Sequence, residues 1–164
     1  MLNISMRVIY LIIASILISG CATSPYTNAP MPEHVDTAME YIGKHERRNR
    51  KELRALLGVD PVRTEWCAAF VNNVLESNEI KGSSYYHENP LMARSFLDWG
   101  EAVDVPQPGD VVVFPRGNSG WQGHVGFYIA THERNGVEYY LILGGNQDNQ
   151  VNLSYFRSST ALGI

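Results

Sequence analysis

Two cysteines in 164 residues are too few for a disulfide framework, and neither Cys21 nor Cys67 has the Cys or His neighbours of a structural zinc site. Long apolar runs are scarce too. The longest, Val8 to Ile18, falls short of the roughly 20 residues a membrane-spanning helix needs. Positive charge is not in excess: 13 Lys and Arg against 17 Asp and Glu give a formal net charge of −4, which argues against nucleic acid as a partner. Gly117, Gly120 and Gly123 lie close together, but no GxxxxGK[ST] pattern surrounds them, so a phosphate loop is excluded. Neither a metal nor a cofactor is expected. No internal repeat is present. What remains is 45% apolar and 18% charged, the composition of a globular chain long enough for one ordinary domain.

The first 20 residues read as an export signal, with Arg7 as its positive start, the apolar stretch Val8 to Ile18, and the small residues Ser19 and Gly20 at its end. Ile18-Ser19-Gly20-Cys21 resembles the bacterial lipobox, which implies cleavage before Cys21 and a lipid on that cysteine. An uncleaved anchor helix is the alternative, and either reading exports the domain and leaves it tethered. Ala22 after the cysteine lacks the aspartate that resembles an inner-membrane retention signal, which points to the outer membrane, facing the periplasm. Residues 21–32 are rich in Thr, Ser, Asn and Pro and read as a flexible tether, leaving residues 33–164 as the domain. With Cys21 lipidated, Cys67 is an unpaired thiol in an oxidising compartment. Burial as a small apolar residue is one reason for it, and reactivity is the other.

From Glu33 to Leu57 the pattern is that of two helices meeting near Gly43 to Glu46, with Leu53, Leu56 and Leu57 as an apolar stripe and Gly58 as the C-terminal cap. Arg47, Arg48, Arg50, Lys51 and Arg54 form a solvated face or a grip for an acidic polymer. A third helix is expected over Thr64 to Ser77 with Thr64 as N-cap, because Cys67, Phe70, Val71, Val74 and Leu75 recur at helical spacing. Asn89-Pro90 signals a fourth, ending at Gly100. The period then changes. Short β-rich runs at Val111 to Phe114, His124 to Thr131, Val137 to Leu143 and Val151 to Phe156 follow the turn at Pro108-Gly109-Asp110, where Asp110 reads as a capping residue. Helices first and strands second indicate an α+β fold with an antiparallel sheet.

A cysteine in the first turn of a helix sits where backbone N–H groups and the helix dipole favour a thiolate. It still needs a base, and the base needs a third group to orient it. Of the five histidines, His124 alone opens a strand between glycines, Gly123 and Gly126, which leave space around its ring. Asn135-Gly136 marks a hairpin. A loop centred on Asn135 sets His124 opposite Asn146, and a two-residue loop sets it opposite Gln147; both are amides able to accept an imidazole N–H. Asn146 is preferred, with Gln147 as the register-slip alternative. Among the aromatics that could line a groove, Trp121 stands out, just before His124 in a Gly-rich loop, with Trp66, Tyr85, Tyr86 and Tyr128 as further candidates.

The blocks Glu65-Trp66-Cys67-Ala68-Ala69-Phe70-Val71, Ala93 to Gly100, Pro108-Gly109-Asp110-Val111-Val112-Val113-Phe114, Trp121-Gln122-Gly123-His124-Val125-Gly126-Phe127-Tyr128 and Leu143-Gly144-Gly145-Asn146-Gln147 resemble, in order, those of the CHAP-like amidases and peptidases. These are relatives of the NlpC-type peptidoglycan hydrolases in the papain-like clan. The resemblance implies N-terminal helices packed on an antiparallel sheet, with Cys67 as nucleophile, His124 as base and Asn146 as orienting residue; Trp66, Trp121 and Gln147 are the expected substrate-binding residues. Many such domains resemble one another in a glutamate two residues before the asparagine, where this sequence has Gly144. The implied activity is cleavage of a peptidoglycan amide, either the muramoyl-alanine bond or one in the stem peptide. The expected partners are peptidoglycan and, through the lipid on Cys21, a membrane; a protein activator stays open. Gly144 keeps alive a catalytically silent wall-binding lipoprotein, whereas a self-tethering anchor suits a phage-derived lysin poorly.

Overall fold

The computed structural model describes residues 30–164, so the signal, Cys21 and most of the tether lie outside the described residues. Helix α1 spans Glu33–Met39 and α2 spans Arg50–Leu57. Leu53 and Leu57 of α2 are buried, and Gly58 closes it at φ +68° with its N–H on the Arg54 carbonyl, a left-handed cap that glycine adopts at little cost. Turns fill the stretch between them. They are pinned to the far edge of the sheet by backbone bonds from Gly43 to Val151 and from Glu46 to Asn149, both 2.8 Å. On the basic face, Arg50 pairs with Asp60 and holds that carboxyl down at about 2, while Lys44 pairs with Glu52.

Helix α3, Cys67–Ser77, buries Cys67 through Asn72 as well as Val74 and Leu75. A helix apolar on nearly every side must be covered on nearly every side. α3 accordingly lies between α1 and α2 and the sheet. It opens at Cys67 with Trp66 in the capping position and without a side-chain cap, so Thr64 does not cap it as expected. The helix expected from Asn89 is instead a 3-10 segment, Ala93–Asp98. Asn72 of α3 donates to the Pro90 carbonyl at 3.0 Å and Met92 is extended, so the chain turns helical only beyond it.

Strands β1 (Val111–Pro115), β2 (Gly123–Arg134), β3 (Val137–Gln147) and β4 (Gln150–Arg157) form an antiparallel meander in that order. Alternation divides their side chains. Val111, Val113, Val125, Phe127, Leu143 and Val151 face the helices, whereas Val112, Phe114, Tyr128, Tyr140 and Ile142 form a second core under Phe156, Ala161 and Ile164. The fold is α+β, with helices packed on an antiparallel sheet as the sequence indicates.

Two one-residue irregularities decide what meets His124. The β2–β3 loop is the two-residue one, Asn135 (φ +54°) and Gly136 (φ +71°), with Arg134 opposite Val137. A bulge between Tyr128 and Ala130 then shifts the pairing, so that Phe127 faces Leu143. A second irregularity, between Gly144 and Gln147, contains Asn146 at φ +57°. The hairpin joining β3 to β4 turns on Asp148 and Asn149, both left-handed, which places the turn three to four residues beyond the glycine pair.

Candidate active site

Cys67 is the first residue of α3, only 3% exposed, and opens onto a cleft of about 410 Å³ that Thr64, Glu65, Asn89, Met92, Trp121 and Gln122 help to line. Its backbone N–H begins the helix and has no intrahelical acceptor. Its sulfur receives backbone N–H groups from Val125 and Ala68. Val125 directly follows His124 in β2 and faces the helix side, whereas the His124 ring lies on the other face of the strand. The helix start does not produce a thiolate here, contrary to expectation. Burial pushes the Cys67 thiol up, and the two N–H groups and the nearby Arg116 cation offset only part of that shift.

His124 lies buried on the second-core side of β2, stacked on Phe156 with ring centroids 5.2 Å apart. Its Nε2 is 3.0 Å from Oε1 of Gln147. The orientation of that amide follows from its other end: Gln147 Nε2 donates to the Asn152 carbonyl at 2.6 Å and to Asn152 Oδ1 at 2.8 Å. Asn152 is itself fixed, since its Nδ2 donates to the Gln147 carbonyl at 3.0 Å and Ser154 Oγ donates to its Oδ1 at 2.8 Å. Gln147 therefore turns its oxygen to the ring, Nε2 must be the protonated nitrogen of the neutral imidazole, and Nδ1 keeps its lone pair. Burial pulls the ring down to about 4, with the Gln147 bond opposing the shift and Arg116 adding to it. At neutral pH the thiol and the imidazole are both uncharged, and Nδ1 carries a lone pair.

Asn146 does not orient His124. Its backbone is left-handed, and Nδ2 donates to Glu65 Oε2 at 2.6 Å rather than to the ring. The bulge that removes Asn146 brings in Gln147, the register alternative. Gln147 is buried, and its amide is engaged with His124 and Asn152, although it borders a small cavity with His124. Trp66 needs a correction, because it is fully buried, edge-on to Phe70, and cannot touch a substrate. Its indole N–H has no partner among the described residues. Trp121 is where the sequence suggests, 66% exposed on the rim of the Cys67 cleft. Tyr85 and Tyr86 are exposed and Tyr128 belongs to the second core.

Gly144 also finds its reason here. A Cβ on it would stand 3.1 Å from Gln147 Oε1 and 3.3 Å from His124 Nε2. The space at which a side chain from position 144 would enter is thus bordered by the Gln147 amide, which supplies from β3 the acceptor for His124.

Sequence reasoning missed three residues. Asn152 fixes the amide, and only the β3–β4 pairing reveals it. Glu65 and Arg116 join across the site, Arg116 Nη1 to Glu65 Oε2 at 3.1 Å and Nη2 to the Asn146 carbonyl at 3.2 Å. Arg116 directly follows β1 and Glu65 lies two residues before Cys67, which are the only signals the sequence offers for them. Asp110 accepts the Gln107 N–H at 2.7 Å and so closes its turn, away from the chemistry. Among the described residues no three His, Cys, Asp or Glu side chains gather as metal ligands would.

A family model described as the CHAP domain matches residues 59–146, just over half of the chain, a span that includes Cys67, His124 and Asn146. No curated protein and no solved structure matches the chain.

Proposed function

Because the chain belongs to the CHAP family, a hydrolytic family of peptidoglycan amidases and peptidases, we propose that it cleaves a peptidoglycan amide through a Cys67 thioester, with His124 as the base. The observation that carries this reading is the orientation of His124. The Asn152–Gln147–His124 chain leaves Nδ1 unprotonated on the strand whose next residue, Val125, touches the thiol.

The steps follow from that arrangement. Cys67 Sγ attacks the carbonyl carbon while Nδ1 takes the thiol proton, and the imidazolium is held by Gln147 Oε1. With the thiol raised and the ring depressed, an ion pair is not stored in advance, so proton transfer accompanies attack. The Cys67 backbone N–H, free at the start of α3, is placed to bond the developing oxyanion. Collapse expels the amine, which receives the proton from Nδ1. Water, deprotonated by the same nitrogen, then opens the thioester, releases the acid and restores the thiol. Trp121 supplies an apolar wall for the substrate.

We also place the domain outside the cytoplasm, tethered by a lipid on Cys21 and facing the wall from the outer membrane. The lipobox-like sequence and the tether supply the support for this. A silent wall-binding protein would not need the relay from Asn152 to His124.

The test is digestion of purified peptidoglycan by the full chain in detergent, beside Cys67→Ala, with mass spectrometry of the released fragments. Cys67-dependent fragments are expected, and their ends name the bond. Intact peptidoglycan in both reactions would count against hydrolysis. In parallel, Cys21→Ser is expected to leave the membrane fraction or to retain its leader, and an unchanged distribution with unchanged mass would refute lipidation.

A further inference from the structure

Arg116 lines two cavities at once: the cleft onto which Cys67 opens, and a smaller one of about 200 Å³ bounded by His124, Asn146, Gln147 and Phe156. Its charge is felt by both the nucleophile and the histidine. Its side chain is 42% exposed, and two of its five N–H donors are engaged, one by Glu65 and one by the Asn146 carbonyl. The Glu65 partner is 77% exposed. Only its Oε2 is used, shared between Arg116 and Asn146 Nδ2. An ion pair so open to water is weak, and another carboxylate can replace it at little cost.

We propose that Arg116 is the specificity residue of the site: it binds a free carboxylate of the substrate lying a few bonds from the scissile carbonyl, and Glu65 occupies that place until the substrate arrives. A guanidinium is suited to this, being permanently charged and able to grip a carboxylate with two parallel bonds. Glu65 shows that a carboxylate fits, and the location between the two clefts sets the carboxylate beside the bond being broken. This inference rests on the hydrolase reading for its substrate and refines it. A stem-peptide amide next to an acidic residue's free carboxylate meets the requirement. The muramoyl-alanine amide does not, because the alanine carboxyl beside it is already committed to the next peptide bond.

Two measurements separate this inference from the hydrolase reading. The first needs no turnover: alkylation of Cys67 by iodoacetate and by iodoacetamide, on the full chain in detergent, read by mass spectrometry at the Cys67 peptide. The ratio of the two rates cancels the thiolate fraction and isolates the carboxylate. Arg116→Gln is expected to lower the iodoacetate-to-iodoacetamide ratio about fivefold or more, Arg116→Lys less, and Glu65→Gln to raise it about twofold. A ratio unchanged in Arg116→Gln and Glu65→Gln would overturn the proposal. The second measurement compares synthetic stem peptides that differ only in carboxylate or carboxamide beside the scissile bond. Arg116→Gln is expected to raise KM about tenfold more for the carboxylate peptide than for the carboxamide peptide, with any change in kcat common to both. Equal losses on both peptides would make Arg116 structural. An Arg116-dependent alkylation ratio without cleavage of either peptide would support the carboxylate site and remove the hydrolase reading.

Discussion

Gln147→Ala and Asn146→Gly make the most direct test of how His124 is held. In Gln147→Ala the imidazole Nε2–H loses the only side-chain acceptor it has, 3.0 Å away, inside a site too buried for easy replacement by water. An unpaired buried donor costs about 1–3 kcal/mol, and because the charge on the ring grows in the transition state, the loss falls on the barrier: roughly 5- to 150-fold in kcat/KM. The same substitution strips Asn152 of two amide bonds, so the folded state should lose about 1–3 kcal/mol as well, a fall in Tm of several degrees for a domain of this size. Asn146→Gly removes a side chain whose Nδ2 hydrogen bond goes to Glu65 and keeps a residue at ease at φ +57°. Its loss should stay within about threefold. The assay is release of peptidoglycan fragments at 25 °C, with circular dichroism to confirm that each variant is folded. A Gln147→Ala enzyme as active as wild type, or an Asn146→Gly enzyme as impaired as Gln147→Ala, would refute the assignment of the orienting residue.

The remaining predictions concern charge, packing and the cleft rim. His124 is held down at about 4 in the folded protein against an ordinary value of 6.5, so the unfolded chain takes up a proton first as pH falls. The stability held by the neutral ring is whole above pH 6.5 and lost progressively down to about 4, amounting to about 3 kcal/mol; denaturant titrations of wild type and His124→Gln across that window should diverge, and parallel curves would contradict it. The acid edge of kcat/KM should likewise lie near pH 4, and an edge between 6 and 7 would show that the ring is not buried as described. Gly145→Ala would drive a Cβ to within 2.6 Å of the Trp66 ring and 2.8 Å of Phe70 Cβ, and should cost about 1–3 kcal/mol by overpacking, visible as a lower Tm. Trp121→Ala, at an exposed position, should leave Tm unchanged while raising KM severalfold; a changed Tm with unchanged KM would place it outside substrate contact.

The fold was legible where periodicity and packing agree. All four strands, the burial of α3 and the Gly58 cap follow from alternation, helical spacing and a left-handed stop. Cys67 at a helix start and His124 at a strand start follow in the same way. The partner of His124 did not, because it depends on two bulges, at Ile129 and around Asn146, and a bulge leaves little trace in a hydrophobic pattern while moving each later side chain by one place. Local sequence also cannot tell a buried tryptophan from an exposed one. Trp66 and Trp121 both flank a site residue, yet Trp66 is pressed between Phe70 and Gly145 whereas Trp121 lies on a glycine loop with nothing above it. The helix start predicts a stabilised thiolate only where water or charge also reaches the sulfur. Here 3% exposure reverses the sign.

That reversal bears on how an unpaired thiol survives outside the cytoplasm, where the proposed export would place it. Oxidation and disulfide exchange proceed through the thiolate, so a cysteine that is both buried and raised above its usual range offers little of the reactive form to either. The same burial would make a poor nucleophile were the base not independent of it. The Asn152–Gln147 relay keeps the proton on Nε2 and the lone pair on Nδ1 without requiring any charge on the sulfur. Reactivity is then conferred at the moment a carbonyl enters, when the proton can move from sulfur to ring as the new C–S bond forms. In the carboxylate-binding role proposed for it, Arg116 lines the cavities of both groups. Protection of the thiol and selection of the substrate thus have one structural origin: a neutral pair under cover, with the charge placed on Arg116 rather than on the pair itself.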